Sequence, residues 1–239
     1  MQNKKYRKIE HAFLVEGLKN VVELLNSDYE VLQVICSEKA LPELMKLVKP
    51  GDLVYQTIPE SQLAEIGTLE NNLTVLAVAK TKHTDKLPNA STFGKLTLLL
   101  DNINDPGNLG TIIRVADWYG IKNVICSLET VDFYNPKVIN ASKGSFTRVH
   151  ITYADLQSLL MDQAHIPLYA ACLEGKSIYT SPGIFPAMLL VGNEANGIRK
   201  ELLQYATHKV HIPRRGGAES LNVGVATGIL VDRLLGGQV

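Results

Sequence analysis

Two successive runs of alternating strand-like and helix-like patterns, separated by one polar stretch, predict an α/β protein built in two parts. The second run carries the clearer signal. "LTLLL" (96–100), "NVIC" (123–126), "LYAAC" (168–172) and "AMLLV" (187–191) are continuously apolar and are bounded by helical stretches. Strands of that kind belong to a parallel sheet covered on both faces. The polar stretch, "KTKHTDKLPNASTFGK" (80–95), holds Pro88 and Gly94 and shows no apolar period. It sets the first part at residues 1–84, a linker at 85–94 and the second part at 95–239.

The first part reads in order as a helix "GLKNVVELLNSD", a strand "VLQVIC", a helix "LPELMKLV", a strand "LVYQTI", a helix "SQLAEI" and a strand "LTVLAVA". Leu18, Val21, Val22 and Leu25 recur at helical spacing and give one apolar face. In the second part "LTLLL" leads into a helix at 108–119, and "NVIC" into a short helix at 136–142 and another at 154–164. After "LYAAC" and "AMLLV" come a helix at 198–206, the strand "KVHI" (209–212) and a closing helix from Leu221 to Leu235.

A chain of 239 residues, 46% hydrophobic and 20% charged, has the length to bury a core and the composition of a globular protein, which excludes disorder and fibres. The basic start "MQNKKYRKIEHAF" precedes no long apolar region, and no run of about 18 apolar residues occurs. A cytoplasmic protein without a membrane partner is expected. Cys36, Cys126 and Cys172 are far apart and lie in strand-like runs, as buried reduced thiols do. The histidines include no H-x-x-x-H, and the closest pair, His208 and His211, flanks a strand start, so no metal is expected. Up to residue 90 there are 11 basic and 12 acidic residues, and 13 and 12 beyond it, so neither part is a basic module. An RNA partner would have to be met by local clusters: "KKYRK" (4–8), Lys80, Lys82, Lys86, and Arg214 with Arg215.

Three strands run into loops of unusual chemistry: "LTLLL" into "DNINDPGNLGTIIR", "AMLLV" into "GNEANGI", and "KVHI" into "PRRGGAESLN". Ligands of open parallel sheets bind beyond the carboxyl ends of the strands, so these loops are expected to share one site. In the first, Asp105-Pro106-Gly107 supplies a turn, and Asn108 a capping or left-handed position before the helix. Arg114 follows; an i, i+3 pair with Asp117 is its ordinary structural role. In the second, Gly192 allows close backbone approach, Asn196-Gly197 marks a turn, and Glu194 is either a site carboxylate or a charge favoured at the next helix start. In the third, Ser220 suits a helix cap, which leaves Asn222 unexplained. Gly224 and Gly228 each cost about 1 kcal/mol inside a helix, so something must approach closely there, another helix or a partner subunit. No G-x-G-x-x-G and no P-loop is present, which sets aside dinucleotide and ATP enzymes.

Together, "DNINDPGNLGTIIRVAD", "LLVGNEANGI" and "IPRRGGAESLNVGVATGIL", in this order, resemble the three motifs of the SpoU (TrmH-type) RNA methyltransferases of the SPOUT superfamily. The segment "DFYNPKVINASKGSF" resembles that family's stretch between its first two motifs. "FLVEGLKNVVELL" is similar to the start of its N-terminal substrate-binding domain, related in fold to small ribosomal RNA-binding proteins. The resemblance implies a parallel α/β catalytic domain whose C-terminal segment threads a trefoil knot, a homodimer, and S-adenosyl-L-methionine as cofactor. The implied activity is methylation of a ribose 2′-hydroxyl in RNA, with ribosomal RNA favoured. The alternatives are a tRNA 2′-O-methyltransferase or a non-catalytic RNA-binding protein on the same fold. Base methylation by the related SPOUT branch is disfavoured by the Ser-x-Asn motif.

By the same resemblance, Arg114 matches the arginine that helps activate the hydroxyl, and Asn108, Glu194, Ser220 and Asn222 match the other polar positions of the active site. Gly192, Asn193, Ile212 and Leu221 match cofactor-binding positions, with "ACLEG" (171–175), including Ala171 and Cys172, as a wall beside the cofactor. A guanidinium is a poor base on its own, its pKa ordinarily lying above about 12, so an RNA phosphate is expected in the relay. Asn140 stands where many relatives have arginine and Gly224 where many have serine, and a Gln-Gly common near residue 72 is missing. These departures bear on substrate recognition more than on catalysis.

Overall fold

The computed structural model describes residues 3–48, 54–68, 74–82 and 93–236. Lys86 and Pro88, and the position near residue 72, lie outside the described residues. The chain forms two compact units, Met1–His83 with Asp132–Thr147, and Thr84–Val131 with Arg148–Val239.

The first unit opens with α1 (Lys4–Glu10) and β1 (Ala12–Glu16), neither of which the apolar pattern announces. Then come α2 (Leu18–Leu25), β2 (Val31–Cys36), α3 (Leu41–Leu47), β3 (Tyr55–Thr57), α4 (Glu60–Ile66) and β4 (Val75–Lys80). Its sheet is mixed, in the order β1-β4-β2-β3: β4 runs antiparallel to β1 and β2, and β3 parallel to β2. On α2 the buried face centres on Val21 and Leu24, with Leu18, Val22 and Leu25 half-buried at its margins.

The segment 132–147 completes this unit with α6 (Pro136–Ser142), which packs on β1. Phe13 on β1 gathers the rings of Tyr134, Tyr29 and Phe146 at centroid distances of 4.6, 5.4 and 6.2 Å. Arg7, the buried residue of α1, sends Nη2 and Nε to one oxygen of Asp132, at 2.6 and 3.1 Å. Asn140 accepts a hydrogen bond from Asn20 of α2 at 3.3 Å. Asn140 is thus used in internal packing.

The second unit is a six-stranded sheet, all of its strands parallel, in the order β10-β8-β9-β5-β6-β7. Its elements are β5 (Leu96–Asp101), α5 (Pro106–Trp118), β6 (Asn123–Ser127), β7 (His150–Ala154), α7 (Leu156–Asp162), β8 (Leu168–Ser177), β9 (Ala187–Gly192), α8 (Lys200–Leu203), β10 (His208–His211) and α9 (Val223–Gly236). The covered parallel sheet expected from the apolar strands is borne out, since every residue of β5 and β6 is buried. On one face Leu99, Ile125, Leu168, Met188 and Leu190 pack with Leu156, Leu159, Leu160 and Leu202. Phe93, inside the stretch expected to be linker, is buried in this cluster. Helix α8 is one turn, much shorter than expected, and β7 was not foreseen.

Strand β10 is an edge strand, yet α9, which follows it, packs on α5 and β9. The intervening residues 212–222 therefore lead back past β8 toward the middle of the sheet, the return that a knotted C-terminal segment calls for. Among the described residues no helix is long and apolar enough to cross a membrane.

Candidate active site

Strands β5 and β9 are neighbours, and Asp101 pairs in register with Gly192, so their carboxyl ends are level. The loop after β5 enters α5 earlier than expected. Asp105 is the cap, accepting from the Asn108 backbone N–H at 2.8 Å, and Pro106 takes the first helical position. Asn108 is thus in the first turn, its side chain free for other work. Its Nδ2 donates to Oε1 of Glu194, and its Oδ1 accepts from Nδ2 of Asn222 at 2.7 Å. Three loops that are far apart in sequence meet in these side chains.

The cap of α9 settles which way these amides point. Oδ1 of Asn222 accepts from the backbone N–H groups of Gly224 and Val225 at 3.0 and 3.3 Å. The cap is therefore Asn222 and not Ser220, and the helix begins at Val223, two residues later than expected. With Oδ1 held by the helix, Nδ2 of Asn222 must face outward. That turns Oδ1 of Asn108 toward it and Nδ2 of Asn108 toward Glu194, whose ionised carboxylate can only accept. The result is a directed chain from the α9 N-terminus to Glu194.

Glu194 does not serve the start of α8. That role belongs to Asp101, fully buried at the end of β5, whose Oδ2 accepts from the Arg199 backbone N–H at 2.9 Å and whose Oδ1 accepts from Arg199 Nε at 2.8 Å. Sequence reasoning missed this pair. The signal was an acidic residue closing an apolar strand, since a buried carboxylate requires a partner. Between Gly192 and Arg199 the chain folds back on itself. A Cβ on Gly192 would lie 2.3 Å from the Gly197 backbone, so here the glycine serves the loop's own closure. Asn193 accepts from Ala195 N–H at 2.8 Å and donates to the Asn102 carbonyl at 2.9 Å.

Arg114 is exposed on α5, and among the described residues no hydrogen bond or ion pair engages it. Asp117 instead receives Arg148, whose Nε lies 3.0 and 3.1 Å from its two oxygens. Ser220 is exposed and likewise unengaged among the described residues. The glycine face of α9 meets α5 of the same chain. A Cβ on Gly224 would come 2.8 Å from Thr111 Cγ2, and one on Gly228 would sit 3.7 Å from Val115 Cγ2. A helix of this chain, not a partner subunit, occupies that face, and the Thr111 contact accounts for a glycine at 224.

Residues 95–232 match the SpoU rRNA Methylase family, and residues 1–77 match the MRM3-like substrate binding domain. The chain belongs to the SpoU rRNA methylase family. It is 30% identical to the 23S rRNA (guanosine(2553)-2'-O)-methyltransferase RlmP of Bacillus subtilis, over 99% of this chain and 93% of that protein. To the 23S rRNA (uridine(2479)-2'-O)-methyltransferase of Streptomyces viridochromogenes it is 26% identical, over 92% and 81%. Among solved structures, the AdoMet-bound rRNA methyltransferase of Sinorhizobium meliloti aligns over 100% of this chain and 92% of its own, with a TM-score of 0.85 and 27% identity.

The chemistry of this SpoU chain's strand ends suits a nucleoside cofactor. Strand β8 breaks register between Ala170 and Lys176, so Ala171 to Gly175 swing out of the sheet beside β9 and β10. A Cβ on Gly175 would lie 2.4 Å from the Lys209 and Val210 backbone, and His211 Nδ1 donates to the Gly175 carbonyl at 2.8 Å, which closes this bulge. Cys172 is half-buried, its thiol pushed up by burial, and stays a neutral apolar surface. Ile212 is half-buried and Leu221 47% exposed, leaving apolar side chains open at the same strand ends. Apolar side chains at these strand ends fit an adenosine better than a polyphosphate.

Proposed function

We propose that this chain transfers the methyl group of S-adenosyl-L-methionine to a ribose 2′-hydroxyl of ribosomal RNA. The observation that carries the reading is the hydrogen-bonded chain Asn222–Asn108–Glu194, which joins three strand-end loops at one point. Family membership and the rRNA methyltransferases named above support the substrate class.

When bound, the cofactor supplies a methyl group activated on sulfur, so that transfer forms the oxygen–carbon bond and releases S-adenosylhomocysteine and one proton. Gly192, Asn193, Ile212, Leu221, Ala171 and Cys172 would hold it, through backbone groups and apolar contact. Glu194, Asn108 and Asn222 form a preset row of donors and acceptors that orients the ribose, and Ser220 adds a free hydroxyl. Such alignment contributes up to about 7–11 kcal/mol in well-oriented systems. Arg114, with no partner among the described residues, is available to an RNA phosphate. It holds that phosphate beside the acceptor hydroxyl, and the phosphate takes the proton. Arg214 and Arg215 are exposed, Arg214 donating to the Ala218 carbonyl at 3.3 Å, and their charges support a contact with the RNA backbone.

The reading also makes the protein a cytoplasmic homodimer joined through the outer faces of α5 and α9. Trp118 is 84% and Val225 51% exposed there, apolar surface that a second copy would cover. The test of activity is incubation with labelled S-adenosylmethionine and ribosomal RNA from a strain lacking the gene. Label is expected in an alkali-resistant dinucleotide. A methylated base, or cofactor binding without transfer, would overturn the assignment.

A further inference from the structure

We propose that Asp101 and Arg199 are positioning residues for transfer: the end of β5 clamps both feet of the Glu194 loop and so sets its carboxylate against Asn108. The inference rests on the reading that Glu194 and Asn108 serve the reaction. The loop's internal bonds, from Asn193 Oδ1 to Ala195 N–H and the paired backbones of Asn193 and Gly197, close it but do not aim it. Two adjacent residues supply the aim. The first foot is tied by Asn193 Nδ2 on the Asn102 carbonyl at 2.9 Å, and the second by Arg199 on Asp101 through backbone N–H and Nε.

Asn102 takes the left-handed conformation, φ 56°, and its own N–H is held by Ser127 Oγ at 2.9 Å, so the anchor is itself fixed. The feet touch: Gly192 has no room for a Cβ against Gly197 and Ile198, and a shift of the second foot must move the first. Helix α8, one turn long, is too short to hold Arg199 by itself. Desolvating a carboxylate completely is expensive and is recovered only with good geometry, which this pair has.

The test compares Arg199→Lys, which keeps the cation but loses the Nε fork, with Arg199→Met in an Asp101→Asn background, which removes the buried charge along with its partner. Melting temperature, S-adenosylmethionine affinity by calorimetry, and single-turnover transfer to ribosomal RNA at saturating cofactor are read for each. Both variants are expected to stay folded at the assay temperature, and cofactor affinity, which depends on Gly192 and Asn193 at the first foot, is expected to fall less than transfer at saturating cofactor. Transfer should slow by about 10²-fold, the scale of a small misplacement of reacting groups. In a Glu194→Ala background, which removes the oxygen that accepts from Asn108, the additional loss should largely vanish, because the clamp then aims nothing. Unchanged transfer, or losses that simply add on top of an impaired Glu194→Ala, would overturn the clamp alone. A fully active Glu194→Ala would overturn the carboxylate's role and the clamp with it.

Discussion

Asn222 does two jobs with one amide, and the two can be separated. Its oxygen caps α9 and its nitrogen feeds Asn108. Asn222→Asp keeps the capping oxygen but replaces the outward donor with an acceptor facing Asn108 Oδ1. Thermal stability should hold while transfer falls roughly tenfold, the worth of one hydrogen bond. Asn222→Ala should lose both, with about 0.5–2 kcal/mol of stability gone in denaturant melts. Arg114→Ala should abolish detectable transfer and leave cofactor affinity nearly unchanged, as calorimetry would show; equal loss of both would deny it a catalytic role. The sequence made these side chains visible because polar residues crowded at strand ends have few structural uses. It hid the division of labour between Ser220 and Asn222, since both are good caps and only the backbone of the following turn decides between them. Asp101 stayed hidden because its partner lies 98 residues away.

Among the elements, α5 and α9 show how two glycines of similar appearance differ. Gly224 faces Thr111 at a distance no Cβ tolerates, whereas Gly228 has ordinary room against Val115. Gly224→Ala should therefore destabilise by about 1–3 kcal/mol through overpacking. Gly228→Ala should stabilise by about 0.5–1 kcal/mol through helix propensity. Opposite shifts in melting temperature would check the pair. Apolar period made the strands of the parallel sheet and most helices legible. It failed for α1, whose exposed lysines carry no apolar face and whose buried residue is an arginine. It failed also for β7, five residues with His150 exposed and Tyr153 half-buried at the sheet's edge.

At the scale of the whole molecule, the two-part α/β plan was open to reading, while the path of the chain between the parts was not. Periodicity reports local burial; it carries nothing about a contact such as Arg7 with Asp132, 125 residues apart. Trp118→Glu should give a monomer in sedimentation velocity with cofactor-free stability little altered, because that ring is 84% exposed within one chain. A mutant that still sediments as the parent does would count against α5 as the interface. The aromatic gathering around Phe13 has a consequence in time. Tyr134 and Phe146 are made long after Phe13, so the ring cluster of the first unit cannot close during synthesis of residues 1–83. At about 5–20 residues per second, the nascent unit waits several seconds for its last side chains. During that interval Phe13 lacks its Tyr134 and Phe146 partners and β1 lacks the cover of α6, and chaperone capture of ribosome-bound chains should peak before residue 147 emerges and fall afterward.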